Sequence, residues 1–292
     1  MTTIASAFER AKRDRRSALI AYLAAGDPDL AMTIALARAV AEAGADIIEL
    51  GIPFSDPLAD GPIIQAAYTR ALASGISVKR IFEHLPMIAE VTETPIVLMT
   101  ALNPVHAYGP DAFCRDAKAA GAAGLLIPDL LPEDASDLRE QAHAAGLDTV
   151  FLAAPDTTEE RLAAAAAAST GFFYLISRRG VTGPEGGVGE ELEAEVARAR
   201  KVCTVPIAVG FGVTAGADAR RVAEAADGVI VGSAFVRLAS EVFEEAREGN
   251  QSHSAARAAA AEAVKAKAQE LMDGIRGARS KTARTETERV ET

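Results

Sequence analysis

Apolar positions along this chain alternate between two rhythms. Short aliphatic runs fall near residues 18–24, 47–50, 95–99, 123–127, 148–153, 172–176, 205–209 and 228–231, and between them apolar residues recur at helical spacing. A phrase repeats at the junctions, as in AEAGADIIELG, KAAGAAGLLIPD, AHAAGLDTVFLAAP and EAADGVIVGS. Each instance reads as a helix ending in small residues, a glycine or aspartate break, and then a strand. Strands that alternate with helices must pair in parallel, because every crossover carries its own helix. Eight such units in roughly 250 residues are the size of a (β/α)8 TIM barrel. An open doubly wound sheet uses the same units and is the alternative.

Additions to the repeating unit are also legible. Residues 2–13 form an amphipathic helix with Ile4, Ala7, Phe8 and Ala11 on one side, suited to capping one end of the core. After the first strand, Asp27 is placed to cap a helix that has Pro28 in its first turn and stops at Gly44. Residues 75–94 are long enough for an additional helix between the second and third strands. Residues 254–273 are rich in Ala, Glu and Lys, with Val264 and Leu271 as the large apolar anchors, so a final helix packing weakly on the barrel is expected. The last stretch, 279–292, has almost nothing to bury and is expected to be a disordered tail, leaving 1–278 as a single barrel domain.

Composition narrows the classes of function. The chain of 292 residues is 49% hydrophobic but only 5% aromatic, with no Trp, so its core is built from Ala, Val, Leu and Ile. A formal net charge of −11 argues against nucleic acid or an anionic membrane as a partner over the whole surface. Cys114 and Cys203 stand singly, with neither disulfide nor metal-ligand spacing, so no metal is expected. The first residues do not show a charged n-region followed by a secretory apolar run, so a secretory leader is not expected, and no apolar run approaches the ~18 residues of a membrane span. The expected setting is soluble and cytoplasmic.

Chemistry concentrates in IIELGIPFSDPLADGPIIQ, residues 47–65. Glu49 interrupts a buried-looking strand and shares a face with Ile47. Facing a barrel interior, it would lose solvation, rise in pKa and serve as both proton donor and acceptor; tied to backbone donors or an Arg, it would be structural. Asp60 either caps the following helix or belongs to the site. The proline-stiffened loop IPFSDPLAD favours the site, because Phe54 and Leu58 are apolar residues that a solvated loop does not require. Tyr174, on the face of strand six shared with Phe172 and Ile176, is either a core aromatic or a substrate contact. Two glycine-bearing strand ends, AVGFGVTAGAD with Gly210 and Gly212 and VIVGSAFV with Gly232 and Ser233, leave helix N-termini free to hold a phosphate. The Gly-rich stretch 180–189 reads as a lid whose Gly183 approaches that phosphate.

The strand-two motif, together with YLISRRGVTG, GFGVT and GSAFV, resembles the α subunit of tryptophan synthase over residues 2 to about 250. The resemblance implies a lyase that cleaves indole-3-glycerol phosphate to indole and glyceraldehyde 3-phosphate by a retro-aldol reaction. It also implies an α2β2 complex in which indole passes to a β subunit for L-tryptophan synthesis, with pyridoxal phosphate only in that β partner and no cofactor in this chain. By matching motif, Glu49 is the acid/base carboxylate and Asp60 the carboxylate that pairs with the indole nitrogen. Tyr174 and the lid residue Thr182 match positions beside the substrate, and Gly183, Gly212, Gly232 and Ser233 match the phosphate cradle. Two departures stand out: Ala101 and Leu102 where the family often has a tyrosine, and an acidic, Gly-rich lid continuation, PEGGVGEE. The rivals are another phosphosugar barrel enzyme, which would typically carry a site lysine that these strand ends lack, and a non-catalytic docking subunit, which would have no use for a buried carboxylate.

Overall fold

A computed structural model describes residues 2–177, 188–210 and 212–278. Strands β1 (Ala18–Ala24), β2 (Ile47–Gly51), β3 (Ile96–Met99), β4 (Gly124–Leu126), β5 (Asp148–Ala153), β6 (Phe173–Ile176), β7 (Ile207–Gly210) and β8 (Gly228–Val231) pair in parallel in chain order. β8 returns to β1 and closes the barrel, which excludes the open sheet. α1 (Ile4–Arg13) precedes the barrel and α2 (Leu30–Glu42) follows β1. α3 (Pro62–Ala73) and α4 (Val78–Val91) follow β2, and α5 (Leu102–Tyr108) and α6 (Pro110–Ala120) follow β3. α7 (Ser136–Ala145), α8 (Glu159–Ala168), α9 (Val188–Arg200) and α10 (Gly216–Ala225) follow β4 to β7 in turn, while α11 (Ser233–Glu248) and α12 (His253–Arg276) follow β8.

Alternation along the strands sorts the core into two compartments. Leu19, Ala21, Ile48, Leu50, Leu98 and Val229 point outward to the helices, whereas Ile20, Ile47, Val97, Leu126, Val150 and Ile230 fill the barrel. α1 plugs the N-terminal mouth as its pattern predicts, burying Ile4, Ala7, Phe8 and Ala11. Small barrel residues make room for it. A Cβ on Gly228 would lie 3.2 Å from the Phe8 ring, and one on Gly124 would lie 3.0 Å from Ile4 Cδ1.

Between β2 and β3 the additional helix is present, and the packing shows which of the two is extra. α4 packs between α2 and α6 as an ordinary barrel helix, whereas α3 leans on β1 and α11. Ile64, Ala67 and Tyr68 of α3 meet Tyr22 and Ala24 of β1 and Val236 of α11, so α3 covers one side of the C-terminal mouth.

Two expectations are corrected. Asp29, not Asp27, caps α2, its side chain accepting from Met32 N at 2.8 Å; the helix starts only at Leu30, and Asp27 is drawn instead into an ion pair with Arg70. α12 does not pack weakly. Ala256, Ala260, Val264, Ala268, Leu271, Met272 and Ile275 form a buried stripe against α2, α10 and α11. Alanines read as weak anchors, yet they allow close helix approach, and Gly274 touches the backbone of Gly216 directly. The expected tail, 279–292, lies outside the described residues.

Candidate active site

β2 is buried along its whole length, and its inner face carries Ile47, Glu49 and Gly51. Glu49 stands in register with Tyr22 on one side and Val97 on the other. It is 1% exposed, and its Oε1 has no hydrogen-bond partner among the described residues. Burial lifts its pKa to about 8. Asp46, three positions earlier, shows what a structural carboxylate looks like in this fold. It is equally buried but accepts from Leu19 N at 3.0 Å and from both terminal nitrogens of Arg16, at 2.5 and 3.0 Å. A buried acid without such partners is costly to keep. The backbone donors or Arg that a structural Glu49 would call for are not found at its Oε1 among the described residues.

Asp60 lies on the loop over the same mouth and is half-buried. It does not cap α3: Gly61 is the N-cap, Pro62 opens the helix, and no side chain bonds the first turn. The Asp60 carbonyl accepts from Gln65 Nε2 at 2.8 Å, which fixes the loop and leaves the carboxylate uncommitted to the helix. Burial raises its pKa to about 6. On the same loop Leu58 is 96% exposed.

Three tyrosines converge on the two acids. Tyr174 points into the barrel from β6, and a Cβ on Gly210 would strike its hydroxyl. Tyr22 and Tyr68 were not singled out from the sequence; they meet over Gly51, hydroxyl to hydroxyl, at 2.8 Å. Burial pushes all three phenols up, and the charges of Glu49 and Asp60 each push them further. Five groups thus share one electrostatic neighbourhood. Alternation in ALIAYLA puts Tyr22 on the inner face, and Tyr68 is four residues past Ile64 on the buried side of α3. That was the available signal, but the meeting of the two hydroxyls is tertiary.

The glycine-bearing ends differ from each other. After β8, Gly232 is the N-cap of α11 and Ser233 its first residue, with no side-chain cap, so this helix end is open at the mouth beside Tyr22. After β7, the expectation of an open helix end is corrected. α10 begins only at Gly216, with Thr214 N and Ala215 N donating to Asp218 Oδ2 at 3.2 and 3.1 Å and Gly216 N donating to Glu270 Oε1 at 3.0 Å. In the loop after β7, Gly212 is held at φ 70°, where glycine is favoured. Thr182 and Gly183 lie outside the described residues.

Past β3, Ala101 is the N-cap of α5, the Leu102 amide donates to Asp129 Oδ1 at 2.9 Å, and the Leu102 side chain packs on the outer core. Met99, rather than either of these, is the β3 residue beside the Tyr22 cluster. A cavity of about 450 Å³ also opens at the opposite, N-terminal face, lined by Thr94, Lys118 and Asp148 among others. Lys118 Nζ is already bonded to Gly146 O at 2.7 Å, Asp148 accepts from Thr170 at 3.0 Å, and Glu93, the other charged lining residue, is exposed, so this cavity holds no buried, uncommitted carboxyl of the kind Glu49 provides. Among the described residues no cluster of His, Cys, Asp and Glu could hold a metal ion, and no helix is long and apolar enough to cross a membrane.

Residues 8–269 match the sequence model of the tryptophan synthase alpha chain family. The tryptophan synthase alpha chain of Methanosarcina acetivorans is 43% identical over 276 residues, covering 94% of each chain. That of Geobacter sulfurreducens is 45% identical over 238 residues, 82% of this chain and 90% of the relative. Among solved structures, ligand-free tryptophan synthase from M. tuberculosis superposes with a TM-score of 0.81 at 36% identity, over 94% of this chain and all of that one. The alpha subunit from Legionella pneumophila also gives 0.81, at 34% identity over 94% of this chain and 99% of its own.

Proposed function

The chain belongs to the tryptophan synthase alpha chain family, and from that premise we propose how its own residues divide the work of cleaving indole-3-glycerol phosphate to indole and glyceraldehyde 3-phosphate. The observation that carries the assignment is Glu49: a sealed, unpartnered carboxyl lifted to about 8 is protonated at neutral pH and able to give that proton away.

Glu49 donates its proton to C3 of the indole ring. The ring then carries positive charge shared with N1, and the ionised Asp60 accepts the N1 hydrogen bond and stabilises that charge as it grows. Glu49, now a carboxylate, takes the proton of the hydroxyl on the carbon attached to C3. The electrons of that O–H bond form the aldehyde carbonyl, and the bond between the ring and the side chain breaks with its pair returning to the ring. Indole and glyceraldehyde 3-phosphate leave, and Glu49 is again protonated. Each proton-transfer role is worth ~10²- to 10⁴-fold in rate.

Tyr174 faces the ring from β6, and Gly212, Gly232 and Ser233 hold the phosphate, with the open end of α11 supplying N–H groups and a positive dipole. Family resemblance adds Thr182, closing toward Asp60, and Gly183, at the phosphate. The phosphate takes no part in bond breaking; its binding holds the scissile bond between the two acids. Residues 1–278 act as one catalytic domain in the cytoplasm. The chain assembles with a tryptophan synthase β subunit as α2β2, and pyridoxal phosphate belongs to that partner, with no cofactor held here. The rim loop with the protruding Leu58 is part of the β contact.

The test is release of indole from indole-3-glycerol phosphate by the wild-type chain and by Glu49→Gln, each with and without a β subunit. Turnover is expected from the first and loss of at least 10²-fold in the second, with inorganic phosphate and alkyl phosphates still bound. Near wild-type release by Glu49→Gln would overturn the assignment of Glu49. Unchanged β affinity after Pro53→Ala and Asp56→Ala would overturn that of the rim loop.

A further inference from the structure

Register puts Tyr22 of β1 beside Glu49 of β2, both pointing into the barrel. A phenol next to an acid ordinarily donates to it. Here it does not: the Tyr22 hydroxyl donates to the Tyr68 hydroxyl on α3 at 2.8 Å, and Glu49 Oε1 is left without a partner. The meeting point is made by Gly51, one inward step beyond Glu49, where a side chain would collide with both hydroxyls. Tyr22 and Tyr68 are 4% and 3% exposed, so water does not compete freely for this bond. The two hydroxyls are committed to each other over Gly51, and neither is hydrogen-bonded to Glu49 Oε1.

We propose that Tyr68 is a positioning residue: it captures the Tyr22 hydroxyl over Gly51, and so leaves the Glu49 carboxyl free of any protein donor and its own proton in reserve for the substrate. This rests on Glu49 being the acid of the reaction. A donor aimed at Glu49 would stabilise its ionised form and weaken its hold on that proton at neutral pH. The groups whose charges or hydroxyls face Glu49 are Tyr22 from β1, Tyr68 from α3, Tyr174 from β6 and Asp60 from the rim loop. The other flanking strand, β3, brings Val97 into register, which can donate nothing. The Tyr174 hydroxyl lies over Gly210, on the β6–β7 side of the barrel. Tyr22 is therefore the donor that has to be held away, and Tyr68 is what holds it.

The experiment titrates Glu49 itself in the full chain, by the infrared carbonyl band of its protonated carboxyl, identified as the band lost in Glu49→Gln. Tyr68→Phe keeps the ring and removes one oxygen, which frees the Tyr22 hydroxyl to turn to Glu49. Its Glu49 midpoint is expected to move down by about one pH unit. The alkaline limb of kcat should move with it, while KM changes little. Adding Tyr22→Phe to the same chain removes the freed donor and should return the midpoint to the wild-type value, a reversal that a merely structural role for Tyr68 does not produce. An unmoved midpoint in Tyr68→Phe, or a shift that the second substitution fails to reverse, overturns the proposal. The band reports the carboxyl and not turnover. Activity retained by Glu49→Gln would therefore sink the catalytic assignment of Glu49, whereas a fixed midpoint in Tyr68→Phe would sink the role of Tyr68 alone.

Discussion

The Arg70 guanidinium grips Asp27 through two parallel hydrogen bonds, Nε to Oδ1 and Nη2 to Oδ2, each 2.7 Å, and so fastens α3 to the loop after β1. Burial raises the Asp27 pKa even so, with the Arg70 contact opposing it, which marks a carboxylate that depends on its partner. Arg70→Ala would leave that charge sealed and unpaired. It is expected to cost about 3 kcal/mol in urea unfolding, more than the double variant Asp27→Asn, Arg70→Met. Because α3 also carries Tyr68 and follows Asp60 directly, kcat should fall in the single variant as well.

Glu49 links stability to pH in a direction opposite to that of a salt-bridged acid. Its folded pKa of about 8 lies above the ordinary 4.5, so the folded chain holds a proton that the unfolded chain releases. Its contribution is whole below about 4.5 and is lost as pH rises to about 8; at pH 7 the loss is about 3 kcal/mol. Glu49→Gln, which cannot ionise, should match the wild type in Tm near pH 4 and exceed it by several degrees at pH 8. Equal Tm values at pH 8 would show that Glu49 is not desolvated.

In the proposed division of work, turnover requires Asp60 ionised and Glu49 protonated. With burial placing these groups at about 6 and about 8, kcat should trace a bell with an acid limb near the first value and an alkaline limb near the second. Asp60→Asn should remove the acid limb and lower kcat by about 10²- to 10³-fold, since a neutral amide offers N1 no charge. An acid limb that persists in Asp60→Asn would assign it to another group.

The closing helix α12 should behave as core. Leu271→Ala is expected to cost about 2–5 kcal/mol, because Leu271 is wholly buried. Gly274→Ala should be destabilising too, since a Cβ there would lie 2.8 Å from Gly216 Cα and could be relieved only by moving backbone. Gly277→Ala, at the exposed end of the same helix, is the control. If chemical denaturation shows all three variants equal to wild type, α12 is peripheral.

What the chain determines by itself is whatever depends on local period and local chemistry. Strand spacing and the repeated break sequences specify eight parallel units, the pattern of Ile4, Ala7, Phe8 and Ala11 specifies the plug, and alternation puts Glu49 and Ile47 on one face. Those features survive translation into three dimensions because each rests on contacts a few residues apart. Tertiary structure decided the rest. Whether Glu49 was paired, as Asp46 is, depended on donors from other strands that no local pattern announces. Asp27 lost its expected cap to an arginine 43 positions away, the first turn of α10 was closed by Glu270 from α12, and an alanine stripe became a buried seam because small side chains permit close approach. Two tyrosines found each other over a glycine for the same reason: the space a missing side chain leaves is visible only when the barrel closes around it.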